Sequence, residues 1–265
     1  MILFLSLASV QAKPYLPADT EVLAQINSSK KLKKLNASLK QDPNNIDLAY
    51  LLAKQYIALG KAQGDPRYYS YATASLAPWA KQKKSPPSIK LLLADIKQYQ
   101  HRFNEALELL DAILLAESNY QEAILMRAAI YTELGKYSRS DDDCRQLKDR
   151  SLETTCLALN KFHNGYPAEA YDDLRDLSFG DDQASLWSLT ILAEITARLA
   201  KTVEAERYYQ QALAINNSDI YLLGSYADFL LDQAENQAVI DLLEGMEEVE
   251  SLALRYRMAQ GVNHD

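Results

Sequence analysis

Histidine and cysteine are scarce in this chain of 265 residues, with three of the first and two of the second. His101, His163 and His264 stand far apart, and neither a C-x-x-C nor an H-E-x-x-H spacing occurs. A metal centre needs several such ligands at close spacing, so neither a metal nor any other cofactor is expected. Basic residues are also outnumbered: 28 Lys and Arg face 36 Asp and Glu, a formal net charge of -8. Phosphate binding depends on an excess of positive charge, and this balance argues against a nucleic-acid role. The one basic cluster, Lys30, Lys31, Lys33 and Lys34, reads as the solvated side of a helix, with a contact to acidic partners or lipid headgroups as the alternative.

Long hydrophobic runs are missing as well. The opening residues MILFLSLASVQA are apolar and uncharged, yet too few to cross a hydrocarbon core, which takes roughly 20. No stable transmembrane segment is expected. Residues 1–12 read as the hydrophobic and cleavage regions of a truncated signal peptide, although no basic residue precedes them. Under that reading the protein is exported to a periplasmic or extracellular setting. The alternative makes the same residues a short apolar helical turn and leaves the protein in the cytoplasm. Cys144 and Cys156 divide in parallel: a disulfide in an oxidising compartment, or two buried thiols acting as small hydrophobes.

No catalytic spacing stands out in the sequence. Gly60, Lys61, Ala62, Gln63, Gly64 and Asp65 lack the full phosphate-loop pattern and follow no strand signal, so they read as a turn. No G-x-S-x-G occurs. Cys156 and His163 are seven residues apart, which on a helix separates them by about 10 Å, beyond the reach of a nucleophile and its base. Asp141, Asp142 and Asp143 read as the favourable acidic start of a helix, with a cation or basic-peptide contact as the alternative. No carboxylate pair stands apart from the solvated background, and the chain is read as lacking intrinsic enzymatic activity.

What is present is periodicity. After two prolines in residues 13–20, Asp19 or Thr20 can cap a helix reaching about Leu39, with Val22, Leu23, Ile26, Leu32 and Leu35 on its apolar stripe. Pro43, Asn44 and Asn45 end it. Beyond that point small residues recur 34 positions apart, as in Ala94 to Ala128, Ala106 to Ser140 and Ala193 to Ala227. Within a unit the step is 12, as in Ala94 to Ala106, Ala128 to Ser140 and Ala193 to Ala205. Two antiparallel helices approach closely only where neither side chain is large, so this spacing predicts nested helical hairpins.

Leu192, Ala193, Ala205, Tyr209 and Ala212 together resemble a tetratricopeptide repeat unit. Ala128, Tyr131, Gly135, Tyr137 and Ser140 resemble another, and Leu93, Ala94, Phe103, Ala106 and Leu110 a third. Gly165 with Ala170 marks a weaker unit; Leu52, Ala53, Tyr56 and Gly60 open the earliest, and Leu223, Ala227 and Leu230 the last. The resemblance implies an all-α, right-handed superhelical solenoid of antiparallel helix hairpins. About six hairpins would cover residues 45–250, after a linker and capping helix in 13–44 and before a capping helix and tail in 251–265. In that last segment Leu252, Leu254 and Met258 are expected to face inward, which favours a monomer over self-association.

Several departures from a regular repeat are expected. The first unit has a longer turn at Lys61, Ala62, Gln63 and Gly64, and a bend or stop near Pro78. Between Ser140 and Ala170 the step is 30, so the fourth unit is shortened. The cysteines flank that contraction on sequential helices, which makes a bridge between them plausible.

The family's first helices line a concave groove, which by resemblance places Tyr50, Lys54, Leu91, Asp95, Leu125, Thr190, Glu194 and Asp228 on a binding face. The Lys, Asn and Arg clamp of the subset that holds chaperone carboxylates is absent, since Leu91, Asp95, Leu125 and Ala129 occupy the central positions. Of 17 tyrosines, Tyr56, Tyr131, Tyr137 and Tyr209 fit the repeat, whereas Tyr68, Tyr69 and Tyr71 do not and are candidates for recognition. The expected function is to hold a protein or peptide with basic and apolar segments, as a scaffold for an exported bacterial envelope complex. The alternative is a non-catalytic regulatory or substrate-positioning subunit of an enzyme complex.

Overall fold

A computed structural model describes residues 30–262 apart from 81, 83, 247 and 248. The leader at 1–12 and the stripe residues Val22, Leu23 and Ile26 lie outside the described residues. Among those described there is no strand. Helix α1 (Lys30–Gln41) precedes six hairpins: α2 (Ile46–Gln63) with α3 (Arg67–Ala80), α4 (Pro87–Tyr99) with α5 (Phe103–Ala116), and α6 (Gln121–Glu133) with α7 (Tyr137–Cys144). Then follow α8 (Arg150–His163) with α9 (Pro167–Leu174), α10 (Gln183–Arg198) with α11 (Thr202–Ile215), and α12 (Ile220–Asp232) with α13 (Asn236–Leu242). Helix α14 (Glu250–Val262) packs on α12 and α13. The chain is an all-α solenoid of paired antiparallel helices.

Local chemistry sets where the helices begin and end. Asn45, Asp149, Asp182 and Asp219 each accept a hydrogen bond from the backbone N–H three residues on, capping α2, α8, α10 and α12. Pro87 and Pro167 occupy first-turn positions, where the missing N–H costs nothing. Five hairpin turns share one geometry. His101, Gly135, Gly165, Ala200 and Ala234 all have positive φ. The N–H of the next residue reaches a carbonyl five positions back, as in Lys136 to Tyr131 and Lys201 to Thr196. Glycine adopts this conformation freely, whereas His101, Ala200 and Ala234 accept it at about 1 kcal/mol each because the paired helices fix the turn.

Small residues set the hairpin spacing. Ala53, Ala94, Ala128, Ala158, Ala193 and Ala227 are all at 0% exposure. Five of them face a buried residue twelve positions later: Ala106, Ser140, Ala170, Ala205 and Val239. The first hairpin differs. Lys61, Ala62 and Gln63 are helical rather than part of a turn, α2 ends at Gly64 with φ 66°, and Ala53 is followed by Ala72 nineteen residues on. The extra residues lengthen α2 by about a turn, to eighteen residues against thirteen in α4, before the chain turns back into α3. Where they cross, Gly60 lies under the ring of Tyr69: a Cβ there would come within 2.6 Å of it. Tyr68 and Tyr69 are therefore core, at 1% and 0% exposure, and only Tyr71 of the three reaches the surface. Pro78 is accommodated inside α3, which stops two residues later at Ala80.

The contraction expected in the fourth unit is shared with the third: α9 and α7 each have eight residues where α5 has fourteen. Asp141, Asp142 and Asp143 consequently occupy the last turn of α7, not the first, where the helix dipole disfavours negative charge. Partners offset this. Asp143 is buried and receives two hydrogen bonds from Arg127, at 2.6 and 2.8 Å, while Arg127 also donates to Asp111. Asp141 accepts from Asn160 Nδ2 at 2.7 Å, and Asn160 Oδ1 accepts from Thr132 at 2.6 Å. Cys144 and Cys156 are joined across this junction with their Cα atoms 5.7 Å apart.

Both sulfurs belong to buried residues, and the bridge closes a span of twelve residues between α7 and α8. Removing it as Cys144→Ala with Cys156→Ala should lower unfolding stability by about 3 kcal/mol, the chain-entropy value for a loop of this size. Denaturant titration of the double variant checks this. Equal midpoints for variant and parent would show that the polar network holds the junction unaided.

Candidate functional site

The first helices of successive hairpins pack side by side, α2 on α4, α4 on α6, α6 on α8, α8 on α10 and α10 on α12. The more closely spaced layer of a curved double layer lies on its inner side. The first-helix face is therefore the concave one, and the candidate residues divide along it by chemistry.

Towards the N-terminal half the face is apolar and aromatic. Tyr50, Leu91 and Leu125 are half-buried on α2, α4 and α6. Tyr120, just before α6, packs against the same core cluster as Leu91. Its hydroxyl pKa is raised by burial, by Glu122 and by the nearby Tyr50. Lys54 is exposed. Asp95 is taken up by an ion pair with Lys61 at 2.9 Å, which ties α4 to the extended end of α2.

Towards the C-terminal half the face is acidic, and Glu194 is its centre. Glu194 accepts a hydrogen bond from Ser225 Oγ at 2.7 Å, and Ser225 in turn lies 2.9 Å from the Tyr209 hydroxyl. The Tyr221 hydroxyl also bonds Glu194, although Tyr221 is 56% exposed overall. Burial lifts the Glu194 carboxyl above the ordinary glutamate range, and the Asp228 carboxylate adds to the lift. The hydrogen bonds from Ser225 and Tyr221 and the nearby His163 oppose it. Burial raises the Tyr221 hydroxyl too, followed by Glu194, Tyr209 and Glu133. Residues of five helices thus act on one another here: the Glu133 charge of α6 on Tyr221, the His163 and Asp228 charges of α8 and α12 on Glu194 of α10, Ser225 of α12 on Glu194, and Arg255 of α14 on Asp228. Arg255 holds Asp228 through two bonds at 2.5 and 2.7 Å. Glu194, by contrast, has only hydroxyl partners among the described residues.

The expected site residues are only partly brought together. Glu194 and Asp228 share the acidic patch, and Tyr50, Leu91 and Leu125 belong to the apolar half. Thr190 is buried at 2% exposure with its hydroxyl on the carbonyl of Leu186, so it does not face an open groove. Tyr120, Glu133, Tyr221 and Ser225 were not singled out from the sequence, and His163 was weighed there only as a metal ligand or catalytic base. Tyr221, Ser225 and Asp228 stand four and three positions apart, one face of a helix, and that spacing was a usable signal.

Elsewhere the surface offers less concentrated chemistry. A cleft of about 630 Å³ among α7, α8 and α9 is lined by residues of both signs. Several of its charges pair within it, Lys161 with Asp173 at 2.7 Å and Arg145 with Asp141 at 3.7 Å. Among the described residues no group of three or more His, Cys, Asp or Glu is placed to hold a metal ion, and no helix is long and apolar enough to cross a membrane.

The raised Glu194 carboxyl fixes a sign. The folded chain holds that proton more tightly than the unfolded chain, so its contribution to stability falls as pH rises from the ordinary glutamate range. Glu194→Gln keeps an acceptor for Ser225 and Tyr221 without the charge. Thermal unfolding across a pH series should show the variant gaining on the parent as pH rises to neutrality and losing that advantage in acid. A difference independent of pH would contradict a raised carboxyl.

No family model and no curated protein matches the sequence. Solved structures do match. A tetratricopeptide repeat protein from Parabacteroides merdae superposes with a TM-score of 0.58 at 16% identity, over 86% of this chain and 91% of that one. A chain of the Cut9–Hcn1 hetero-tetramer of the APC/C superposes with a TM-score of 0.52 at 14% identity, over 86% of this chain and 46% of the other. These identities establish shape alone. The shared shape, the recurring small positions and the common turn geometry together give this chain a tetratricopeptide-like all-α repeat fold.

Proposed function

We propose that the first-helix face holds an extended segment of another polypeptide, with apolar or aromatic side chains against Tyr50, Leu91, Tyr120 and Leu125 and a lysine or arginine over Glu194. The observation that carries this reading is the half-buried Glu194, a carboxylate with hydroxyl partners and no lysine or arginine paired to it among the described residues. A buried carboxylate gains most from an incoming cationic group, because burial has already removed much of its water. Asp95 and Asp228 already have their cations in Lys61 and Arg255, which leaves Glu194 with the flanking Glu133 as the recognition point. An interaction role fits the fold, whose repeats present a long continuous face and little enclosed volume.

A setting outside the cytoplasm is part of the same reading. The Cys144–Cys156 bridge needs an oxidising environment to form and persist, and the apolar residues 1–12 have the character of an export leader. There the protein would serve as a scaffold in the assembly of an envelope complex.

Site-specific photocrosslinking in cells tests the face directly. A crosslinking residue at Leu125 should capture a discrete partner, whereas one at Leu115, 92% exposed on the second helix α5, should not. Combining Glu133→Lys with Glu194→Gln should reduce the adduct severalfold. The same adduct from both positions, unaffected by the charge changes, would overturn the proposal.

A further inference from the structure

Two surface features are not used by the groove, and they lie at opposite ends of the described solenoid. The first is the outer face of α14. Leu252 and Ala259 point into the core, whereas Leu254 and Met258 are 59% and 51% exposed. This corrects the expectation that all three large side chains of the segment face inward. Leu254 and Met258 are four residues apart, one above the other on a single helical face, flanked by the exposed Arg257 and Gly261. The hairpin beneath α14 is acidic: residues 220–246 carry Asp228, Asp232, Glu235, Asp241 and Glu244 and no lysine or arginine.

The second feature is α1, whose sequence KKLKKLNASLKQ contains five lysines and no carboxylate. It docks on α2 through the buried Leu32 and leaves Lys30, Lys31, Lys33, Lys34 and Lys40 exposed. The adjoining α2 exposes Leu51. One end of the molecule is thus basic with an exposed leucine, and the other is acidic with an exposed leucine and methionine.

We infer that this chain associates head to tail with a second copy of itself, the lysine-rich α1 end of one copy meeting the α14 end of the next. Charge complementarity between the two ends selects the occupant. An α14 face pressed on its own symmetry mate would bring two acidic hairpins together. The basic end instead supplies opposite charge, and the long lysine stems can lie across Leu254 and Met258 with their ammonium groups towards the carboxylates. A contact between two different surfaces does not close on itself, so association of this kind grows with concentration and not to a fixed dimer. It is also weakened by salt, because the pairing charges are exposed. The inference does not depend on the groove, which faces a different direction and is tested separately.

Sedimentation velocity on the full chain, across a concentration series at low and high ionic strength, provides the test. The parent chain should sediment faster with rising concentration, without a plateau at dimer, and revert towards monomer in high salt. Two blocked variants separate the ends, Lys33→Glu with Lys34→Glu, and Leu254→Ser with Met258→Ser. All four positions are exposed, and circular dichroism should confirm that both variants keep the parent's helix content. Each variant alone should stay monomeric at low salt, and an equimolar mixture should form a one-to-one dimer, since each supplies the end the other lacks. Self-association of the lysine variant at the parent's level would identify a symmetric α14 contact and overturn the inference. So would a mixture that stays monomeric, or a parent chain that is monomeric throughout.

Discussion

Close approach of helices at alanine is the constraint on which the rest of this structure depends. Ala53, Ala94, Ala128, Ala158, Ala193 and Ala227 leave no side chain between a first helix and its neighbours, so each hairpin nests against the next and the first helices line up as one layer. A larger residue at any of these sites would push two helices apart and tilt every unit beyond it. The face that carries Tyr50 at one end and Asp228 at the other is continuous because that spacing repeats. The positive φ at His101, Ala200 and Ala234 follows from the same constraint: once the helices are held together, the turn has one way to connect them, and the residue there accepts the strain.

Irregularity is concentrated where the repeat is broken, and the breaks are secured by a disulfide, by charge pairing or by ring packing. The short α7 brings three aspartates to a helix end that disfavours them. Arg127, Asn160 and the Cys144–Cys156 bridge fix that end against α6 and α8. The long first hairpin places Gly60 beneath Tyr69, so that a ring packs where a second alanine contact would otherwise be needed. Downstream, the Glu194 patch is assembled from four further helices and depends on all of them being in register. A carboxylate whose pKa is raised by burial, with only hydroxyl partners among the described residues, is a local cost in stability that the surrounding packing sustains.

The repeat was legible in the sequence because it is written in residue size, and size at a fixed spacing has one physical meaning. The 34- and 12-residue steps located the hairpins, and the sequential placement of Cys144 and Cys156 made their bridge geometrically sound. Direction within a helix was harder to read. Tyr68 and Tyr69 looked like surface aromatics because the lengthened α2 shifts the register of the first hairpin, and Asp141 to Asp143 looked like a helix start because nothing local announces that α7 ends after eight residues. Leu254 and Met258 were assigned inward by hydrophobicity, yet a helix with neighbours on one side only can bury a narrow stripe, which Leu252 and Ala259 fill. The Glu194 patch needed contacts between residues 31 positions apart or more, such as Ser225 with Glu194, and spacing within one helix revealed only its Tyr221, Ser225 and Asp228 edge.

The most direct test of the account is an exchange of one alanine at the nesting position. Ala193→Leu should lower the stability of the whole chain by about 1–3 kcal/mol or more, since the added atoms must displace packed helices. Ala214→Leu, on the exposed side of the adjacent α11, should change it little. Thermal and denaturant unfolding of the two variants side by side gives the answer. A large loss for Ala193→Leu alone is what the account requires, and equal stability of the two would contradict the claim that close helix approach at alanine holds the solenoid together.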